Sequence, residues 1–192
     1  GSDVHVTISP DVSTSMDMLV SDKGTTQCVD IAGIFAGALL KHSEKSLVLP
    51  FQTRVIDNVP FSRHDSVTTT AGKVKKLLSG GTALGSPIQY LLDRKIKTDI
   101  FIGLTDNEDW AKGSSSGASD YFLPLWLRYK KEINPNAVAF LVSIAPYRDG
   151  VTPESEKSVH YIYGWSDKVL NYIGLKLSTG ANQVDGIAKI EV

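Results

Sequence analysis

Three oxygen-bearing side chains follow one another at two-residue spacing near the start of the chain, at Asp11, Ser13 and Ser15. A run with β character, residues 4–8, precedes them. Because alternate residues of an extended segment point the same way, the pattern predicts three oxygens that face one point in space. Hard divalent cations such as Mg²⁺ take oxygen ligands in a tight octahedron. One carboxylate and two hydroxyls would supply half of such a shell.

Two later stretches could supply the missing ligands. The first is a glycine-rich turn at 80–85, where Thr82 carries a hydroxyl and the backbone can approach closely. The second is an apolar run at 100–104, typical of a buried strand, which is soon followed by Asp106. Ligands of open α/β sheets bind outside the carboxyl ends of strands, and Asp11 and Asp106 would both lie at such an end. We therefore predict a metal site formed by Asp11, Ser13, Ser15, Thr82 and Asp106.

The same residue types also have a simpler interpretation. Asp, Ser and Thr commonly cap turns, and the segment that begins at Asp11, taken alone, favours that role. The combination of three pieces at loop positions of one sheet edge favours the metal site instead. Pro10 removes a backbone donor and holds Ser9 in extended geometry, which is consistent with the end of a strand.

Strands alternate with helices along most of the chain. Apolar runs predict strands at 4–8, 46–51, 55–59, 100–104, 137–144 and 159–163. Apolar residues at helical spacing predict helices at 31–39, 71–78, 86–92, 122–133 and 166–178. This alternation predicts an α/β fold in three layers, with a doubly wound, mostly parallel central sheet flanked by helices.

Local signals predict how several helices begin. Thr25 or Thr26 could cap the first helix, and one of the threonines at 68–70 could cap the second. The pair at 86–87, Ser-Pro, favours the start of the third helix, because proline suits the first helical position.

Small residues mark the first helix. Gly33 and Gly37 lie four positions apart and predict the close approach of a neighbouring element. Cys28, the only cysteine, cannot form an internal disulfide and is interpreted as a small buried residue rather than a reactive thiol.

Together, the pattern Asp11-x-Ser13-x-Ser15, the turn at Thr82 and the strand end at 105–106 resemble the metal-ion-dependent adhesion site of von Willebrand factor A domains. The resemblance covers essentially the whole chain and implies the Rossmann-like fold of that superfamily. Within it, the segments 105–108, 127–131 and 163–170 resemble the A domain of Ro 60 kDa (TROVE-type) RNA-binding proteins.

The resemblance implies a non-catalytic module that binds Mg²⁺, with Mn²⁺ and Ca²⁺ as alternatives, and takes an Asp or Glu of a partner protein through the metal. In the Ro family a separate helical-repeat ring binds RNA, and that ring is absent from this sequence. We therefore expect RNA to bind the parent protein and not this domain. No nucleophile in the sequence is paired with a general base.

The loop after the predicted strand end adds a candidate rim for a partner. Glu108 and Asp109 could tune the metal or its ligand, although solvated loop acids are the simpler interpretation. Trp110 could anchor a partner or pack beneath its own loop.

Two other functions remain open at this stage. One is a Mg²⁺-dependent phosphatase or hydrolase that uses Asp11 as its nucleophile. It would need a second acid two residues later, where this chain has Ser13. The other is a scaffold whose metal site is vestigial.

The length and composition of the chain restrict the classes of protein to which it could belong. The chain has 192 residues, of which 42% are hydrophobic and 21% charged, as expected for one well-buried globular domain spanning residues 3–192. Gly1 and Ser2 are interpreted as a tag remnant. A net charge of −1 offers no electrostatic attraction for nucleic acid. No apolar stretch approaches a membrane span, and the lone cysteine favours a reducing, cytoplasmic compartment.

Overall fold

The central layer is a five-stranded sheet in which every pair of neighbouring strands is parallel. This computed structural model describes residues 3–106, 122–144 and 156–179. Within them the strand order is β2-β1-β3-β4-β5. The strands are β1 (Val6–Pro10), β2 (Ser46–Val48), β3 (Ile100–Thr105), β4 (Val138–Ser143) and β5 (Val159–Tyr163).

Helices cover both faces of this sheet. The α-helices are α1 (Cys28–Leu39), α2 (Val67–Lys75), α3 (Ser86–Asp93), α4 (Phe122–Glu132) and α5 (Asp167–Thr179). One apolar cluster joins α1, α2 and α5 to the sheet, and a second joins α3 and α4 to its opposite face. The predicted three-layer, doubly wound α/β fold is confirmed, and the sheet in the described residues is wholly parallel.

The three central strands, β1, β3 and β4, form because both of their faces are buried. Along β3, Ile100, Ile102 and Leu104 enter the first cluster, whereas Phe101 enters the second. Side chains of successive strand residues point to opposite faces, so an uninterrupted apolar run suits a strand covered on both sides.

The sequence-based strand prediction at 55–59 is wrong. Residue Val55 forms only an isolated antiparallel bridge with Phe51, and the Ile56 N–H donates to the Pro50 carbonyl at 2.8 Å. The preceding strand is also shorter than predicted, ending at Val48. Hydrogen bonds to β1 continue beyond it, since the Phe51 N–H donates to the Pro10 carbonyl at 3.1 Å. On the other side, Pro50 has no N–H to return the hydrogen bond that its carbonyl accepts from Ile56, so regular pairing with 55–59 does not form.

Two of the predicted helix caps are also wrong. Gln27 is the N-cap of α1, and its N–H donates to the Asp30 carboxylate at 2.8 Å. Ser66 caps α2, and its hydroxyl accepts from the Thr69 N–H at 3.0 Å. The proposed threonines before α1 precede its true cap, whereas those at 68–70 lie inside the first turns of α2. The start of α3 at the Ser-Pro pair is confirmed.

Glycines allow α1 and α2 to pack closely, as predicted. A Cβ on Gly33 would lie 2.9 Å from the Ala71 Cα, and one on Gly37 would lie 3.0 Å from the Val67 carbonyl oxygen. Cys28 is fully buried, also as predicted, and its thiol donates to the Ile144 carbonyl at 3.2 Å.

Buried polar contacts hold the start of β3 in place. The Tyr129 hydroxyl of α4 accepts from the Thr98 N–H and donates to the Ile96 carbonyl, both at 2.7 Å. Burial raises the pKa of the Tyr129 hydroxyl to about 12.

Among the helices of the described ranges, none combines the length and apolar character that a membrane span requires.

We expect Gly33→Ala to lower the free energy of unfolding by about 1–3 kcal/mol, because the new methyl group meets backbone of α2 that cannot move independently. The matched control is Gly72→Ala in α2, where a Cβ meets nothing within 4 Å. That change should stabilise the helix by about 0.5–1 kcal/mol. Urea unfolding of both variants tests the packing, and equal effects of the two changes would contradict it.

Candidate metal centre

The candidate residues converge where the order of the strands reverses. From β1 the chain passes to β2 on one side, and it later returns to place β3 on the other side. Asp11 follows β1 directly, and its N–H donates to the Leu104 carbonyl of β3 at 2.7 Å. Asp106 follows β3 directly. Both acids therefore lie at the crevice where open α/β sheets bind ligands.

Asp11 is fully buried, and both of its carboxylate oxygens accept hydrogen bonds. The Ser13 N–H donates to Oδ1 at 2.7 Å. The Thr105 hydroxyl donates to Oδ2 at 2.5 Å. Asp11 thus fixes the start of the loop against the end of β3, and Thr105 is a supporting residue whose role the sequence did not reveal.

Ser13, Ser15 and Asp106 form a chain of oxygens. The two serine hydroxyls lie 3.3 Å apart, and the Ser15 hydroxyl donates to Asp106 Oδ1 at 3.3 Å. Ser13 is buried, whereas Ser15 is exposed. These separations exceed the 2.7–2.8 Å that is usual between hydroxyl and acceptor oxygens.

The backbone that brings the two serine hydroxyls together is not the extended segment that the sequence predicted. Ser13 is extended, with ψ of 158°, but a 3₁₀ helix over Thr14–Asp17 includes Ser15. The turn closes because the Met16 N–H donates to the Ser13 carbonyl at 2.9 Å. Two-residue spacing therefore brings the two hydroxyls together through a tight turn rather than a strand.

Met16 is a second supporting residue that the sequence reasoning missed. Its side chain is fully buried, and its sulfur accepts from the Asp106 N–H at 3.2 Å. The available signal was an apolar residue directly after the second serine, between the polar residues of 13–15 and Asp17.

Backbone hydrogen bonds attach the glycine-rich loop to the first loop. The Ser79 N–H donates to the Val12 carbonyl at 2.8 Å, and the Thr14 N–H donates to the Gly80 carbonyl at 2.9 Å. Gly80 has φ of 78°, a left-handed conformation that favours glycine. Thr82 follows on this loop, half-buried, and its hydroxyl makes no hydrogen bond to any of the other four candidate residues.

Hydrogen bonds thus link Asp11, Ser13, Ser15 and Asp106, with the Ser13 backbone N–H as the donor to Asp11, and backbone hydrogen bonds tether the loop of Thr82 to them. The predicted rim residues Glu108, Asp109 and Trp110 lie outside the described residues.

Burial is the main electrostatic influence at Asp11. It raises the pKa of the carboxyl to about 6, against the lowering effect of the hydrogen bonds from Ser13 and Thr105, and the nearby Asp106 charge raises it further. Within the described residues no Lys, Arg or His forms an ion pair with Asp11. A bound cation would supply the compensation that a buried carboxylate needs.

The donor set fits a hard divalent ion. Adjacent oxygens of an octahedron with metal–oxygen distances of about 2.1 Å lie about 3 Å apart, close to the separations along the Ser13–Ser15–Asp106 chain. The described residues contain no group of three or more His, Cys, Asp or Glu placed to hold a metal. Any ion here would therefore depend on hydroxyl oxygens and would not match a softer metal.

In metal-free protein, Asp11 should make stability fall as the pH rises. Its folded-state pKa of about 6 exceeds the ordinary value of 3.8, so the folded state binds the proton more tightly. This contribution is fully present below about pH 4 and is lost as the pH rises through about 6. The difference between the two pKa values corresponds to roughly 3 kcal/mol.

Urea unfolding in EDTA across that pH range tests this. The wild type should lose stability relative to Asp11→Asn as the pH rises, because the amide cannot ionise. Asp17→Asn, which removes an exposed acid from the same loop, is the matched control. Parallel pH profiles for wild type and Asp11→Asn would contradict the raised pKa.

Solved structures with the same fold include three bacterial proteins. The RO (RSR) protein of Deinococcus radiodurans superposes with a TM-score of 0.71 at 14% identity, over 92% of this chain and 34% of that one. A von Willebrand factor type A protein of Catenulispora acidiphila gives 0.60 at 16% identity, over 94% and 43%. The conserved hypothetical protein BatB of Bacteroides thetaiotaomicron gives 0.59 at 15%, over 94% and 99%.

These likenesses establish the fold, and this chain spans about a third of the length of the Deinococcus protein. No curated protein matches the sequence. The family model described as the Ro60 vWA domain matches residues 5–173. That match covers well over half of the sequence, and the chain therefore belongs to the Ro60 vWA domain family.

Proposed function

We propose that this domain is a divalent-metal-dependent binding module that takes a carboxylate of a partner protein. The observation that carries the proposal is the oxygen chain of Ser13, Ser15 and Asp106 at the β1/β3 crevice, with neighbouring oxygens 3.3 Å apart. Mg²⁺ is the proposed ion, with Mn²⁺ and Ca²⁺ as alternatives, since each prefers oxygen ligands.

The residues divide into ligands and a supporting group. Ser13, Ser15 and Thr82 would offer hydroxyl oxygens, and Asp106 a carboxylate oxygen. Asp11 would act indirectly, because its carboxylate is fully buried and accepts hydrogen bonds from the Ser13 N–H and the Thr105 hydroxyl. When bound, the ion would supply an electron-poor coordination position for an external carboxylate. Neutral hydroxyl ligands leave most of its charge uncompensated, which favours an anionic partner.

Membership of the Ro60 vWA domain family supports the further proposal that the parent protein is a Ro-type ribonucleoprotein involved in noncoding RNA binding and quality control. RNA would bind another part of the parent protein. A net charge of −1 supports that division, because this domain offers little general attraction for phosphate. The role proposed for the domain itself is binding of a protein and not catalysis.

The alternative of a phosphatase with Asp11 as nucleophile finds no support in the geometry. A nucleophilic carboxylate must reach its substrate, whereas the Asp11 side chain is fully buried and both oxygens accept hydrogen bonds. The other alternative is a scaffold with a vestigial metal site. Measurement of the melting temperature with and without metal distinguishes it from the proposed binding module.

We expect Mg²⁺ or Mn²⁺ to raise the melting temperature of EDTA-treated protein. A ligand at a hundredfold excess over its Kd stabilises the folded state by about 2.7 kcal/mol, or roughly 5–10 °C for a domain of this size. Differential scanning calorimetry of wild type, Asp11→Ala and Ser15→Ala measures the shift, which both variants should lose.

The matched control is Thr14→Ala, which alters the exposed residue between the two serines and should retain the shift. No shift for the wild type at millimolar metal would establish the vestigial alternative. A shift that survives in Ser15→Ala would place the ion elsewhere.

An external carboxylate should enter the coordination sphere of the bound ion. Acetate added to Mn²⁺-loaded protein should displace coordinated water and lower the water-proton relaxation enhancement, whereas the neutral isostere acetamide should not. Mn²⁺ in buffer without protein is the control for acetate binding to free ion. Equal responses to acetate and acetamide would refute the carboxylate-binding role while leaving the metal site intact.

A further inference from the structure

A cleft of about 570 Å³ lies between the loop at 52–58 and α3, and none of the five candidate metal ligands lines it. Its volume is within the range of small-molecule sites. The cleft is formed largely by polar side chains around Tyr90 and Arg94. The metal centre makes no use of these groups.

Ser86 contributes a hydroxyl that the fold leaves without a partner. The residue lines the cleft and is only 6% exposed. Its Oγ forms no hydrogen bond with any described residue. Buried hydroxyls are normally satisfied, because leaving one unpaired costs about 1–3 kcal/mol. The hydroxyl oxygen is shielded from solvent, so a ligand in the cleft would become its partner once the Ser86 side chain rotates toward the cleft.

Tyr90 and Arg94 give the cleft a flat, polarisable surface. The Arg94 guanidinium carbon lies 3.8 Å from the centre of the Tyr90 ring. The Tyr90 hydroxyl donates to Asp57 at 3.3 Å, and Arg94 lies 3.8 Å from the same carboxylate. Asp57 thereby holds both stacked groups in place. Planar guanidinium groups and aromatic rings are the surfaces on which nucleobases stack.

The charges and amides of the lining narrow the class of ligand. Arg54 and Arg94 balance Asp57 and Asp93, so a polyphosphate would meet two carboxylates and a polycation would meet two guanidinium groups. Three carboxamides, each with donor and acceptor atoms, also line the cleft: Gln52, Asn58 and Gln89. The Gln89 amide already donates to Asp93 at 2.6 Å and the Gln52 amide to Ser79 at 3.3 Å, so a ligand would use the remaining donors and acceptors. Such amides match a planar, uncharged edge that carries donors and acceptors, as nucleobases do.

We propose that this cleft binds an uncharged nucleoside, with its base stacked on the Tyr90–Arg94 pair and a polar group paired with the Ser86 hydroxyl. The site is separate from the metal centre and does not depend on the proposed carboxylate-binding function. It would give the domain a small-molecule ligand in addition to a protein partner.

The test is isothermal titration of the full chain in EDTA with adenosine, guanosine, cytidine and uridine, and with D-ribose as the control lacking a base. We expect at least one nucleoside to bind with a Kd below about 1 mM, and ribose not to bind. Arg94→Ala should weaken binding about five- to hundredfold, the range for loss of a base-stacking contact. Ser86→Ala should weaken binding without loss of stability, because its hydroxyl has no partner to lose.

Lys97→Ala, an exposed change outside the cleft lining, should leave binding unchanged. The proposal is overturned if no nucleoside gives saturable binding, if ribose binds as tightly as the nucleosides, or if Arg94→Ala and Ser86→Ala both bind normally.

Discussion

The hydrogen bond between the Thr105 hydroxyl and the buried Asp11 carboxylate is the constraint on which the site depends. It joins residues 94 positions apart in the chain, at the ends of two adjacent parallel strands. A buried carboxylate requires such partners, because an unpaired charge in the interior is very unfavourable. Satisfying Asp11 therefore aligns the ends of β1 and β3 and orients the loop that carries both serines.

The sheet makes this alignment possible before any side chain contributes. Pairing of β1 with β3 runs over five residues in register, from Val6 with Ile100 to Pro10 with Leu104. Parallel pairing puts both carboxyl ends at one edge, and the reversal of strand order opens a crevice there. Helices α1 and α2 pack closely together and cover the face of the sheet next to the loop that carries Ser13 and Ser15. The position of the site thus follows from the topology, and its chemistry from the residues placed there.

Much of this could be predicted from the sequence, because the signals were local. Apolar runs identified all five strands, and the spacing of Asp11, Ser13 and Ser15 identified the loop. The prediction of a strand at 55–59 was wrong for a local reason, because Pro50 has no N–H to donate to the neighbouring Ile56. Features that depend on distant contacts could not be predicted. The Thr105 and Met16 contacts depend on segments about 90 residues apart.

The hydroxyl-rich donor set also determines how metal and partner would bind. The Asp11 carboxylate accepts two hydrogen bonds and is not proposed as a direct ligand. Its negative charge would therefore offset the charge of the ion only from a distance. Serine and threonine oxygens carry no net charge, and an ion held mainly by them retains a strong requirement for an anion. An external carboxylate would meet that requirement, so each ligand should raise the affinity of the other by the same factor. A site built from more carboxylates would hold the ion more firmly but would remove the reason for a partner to bind.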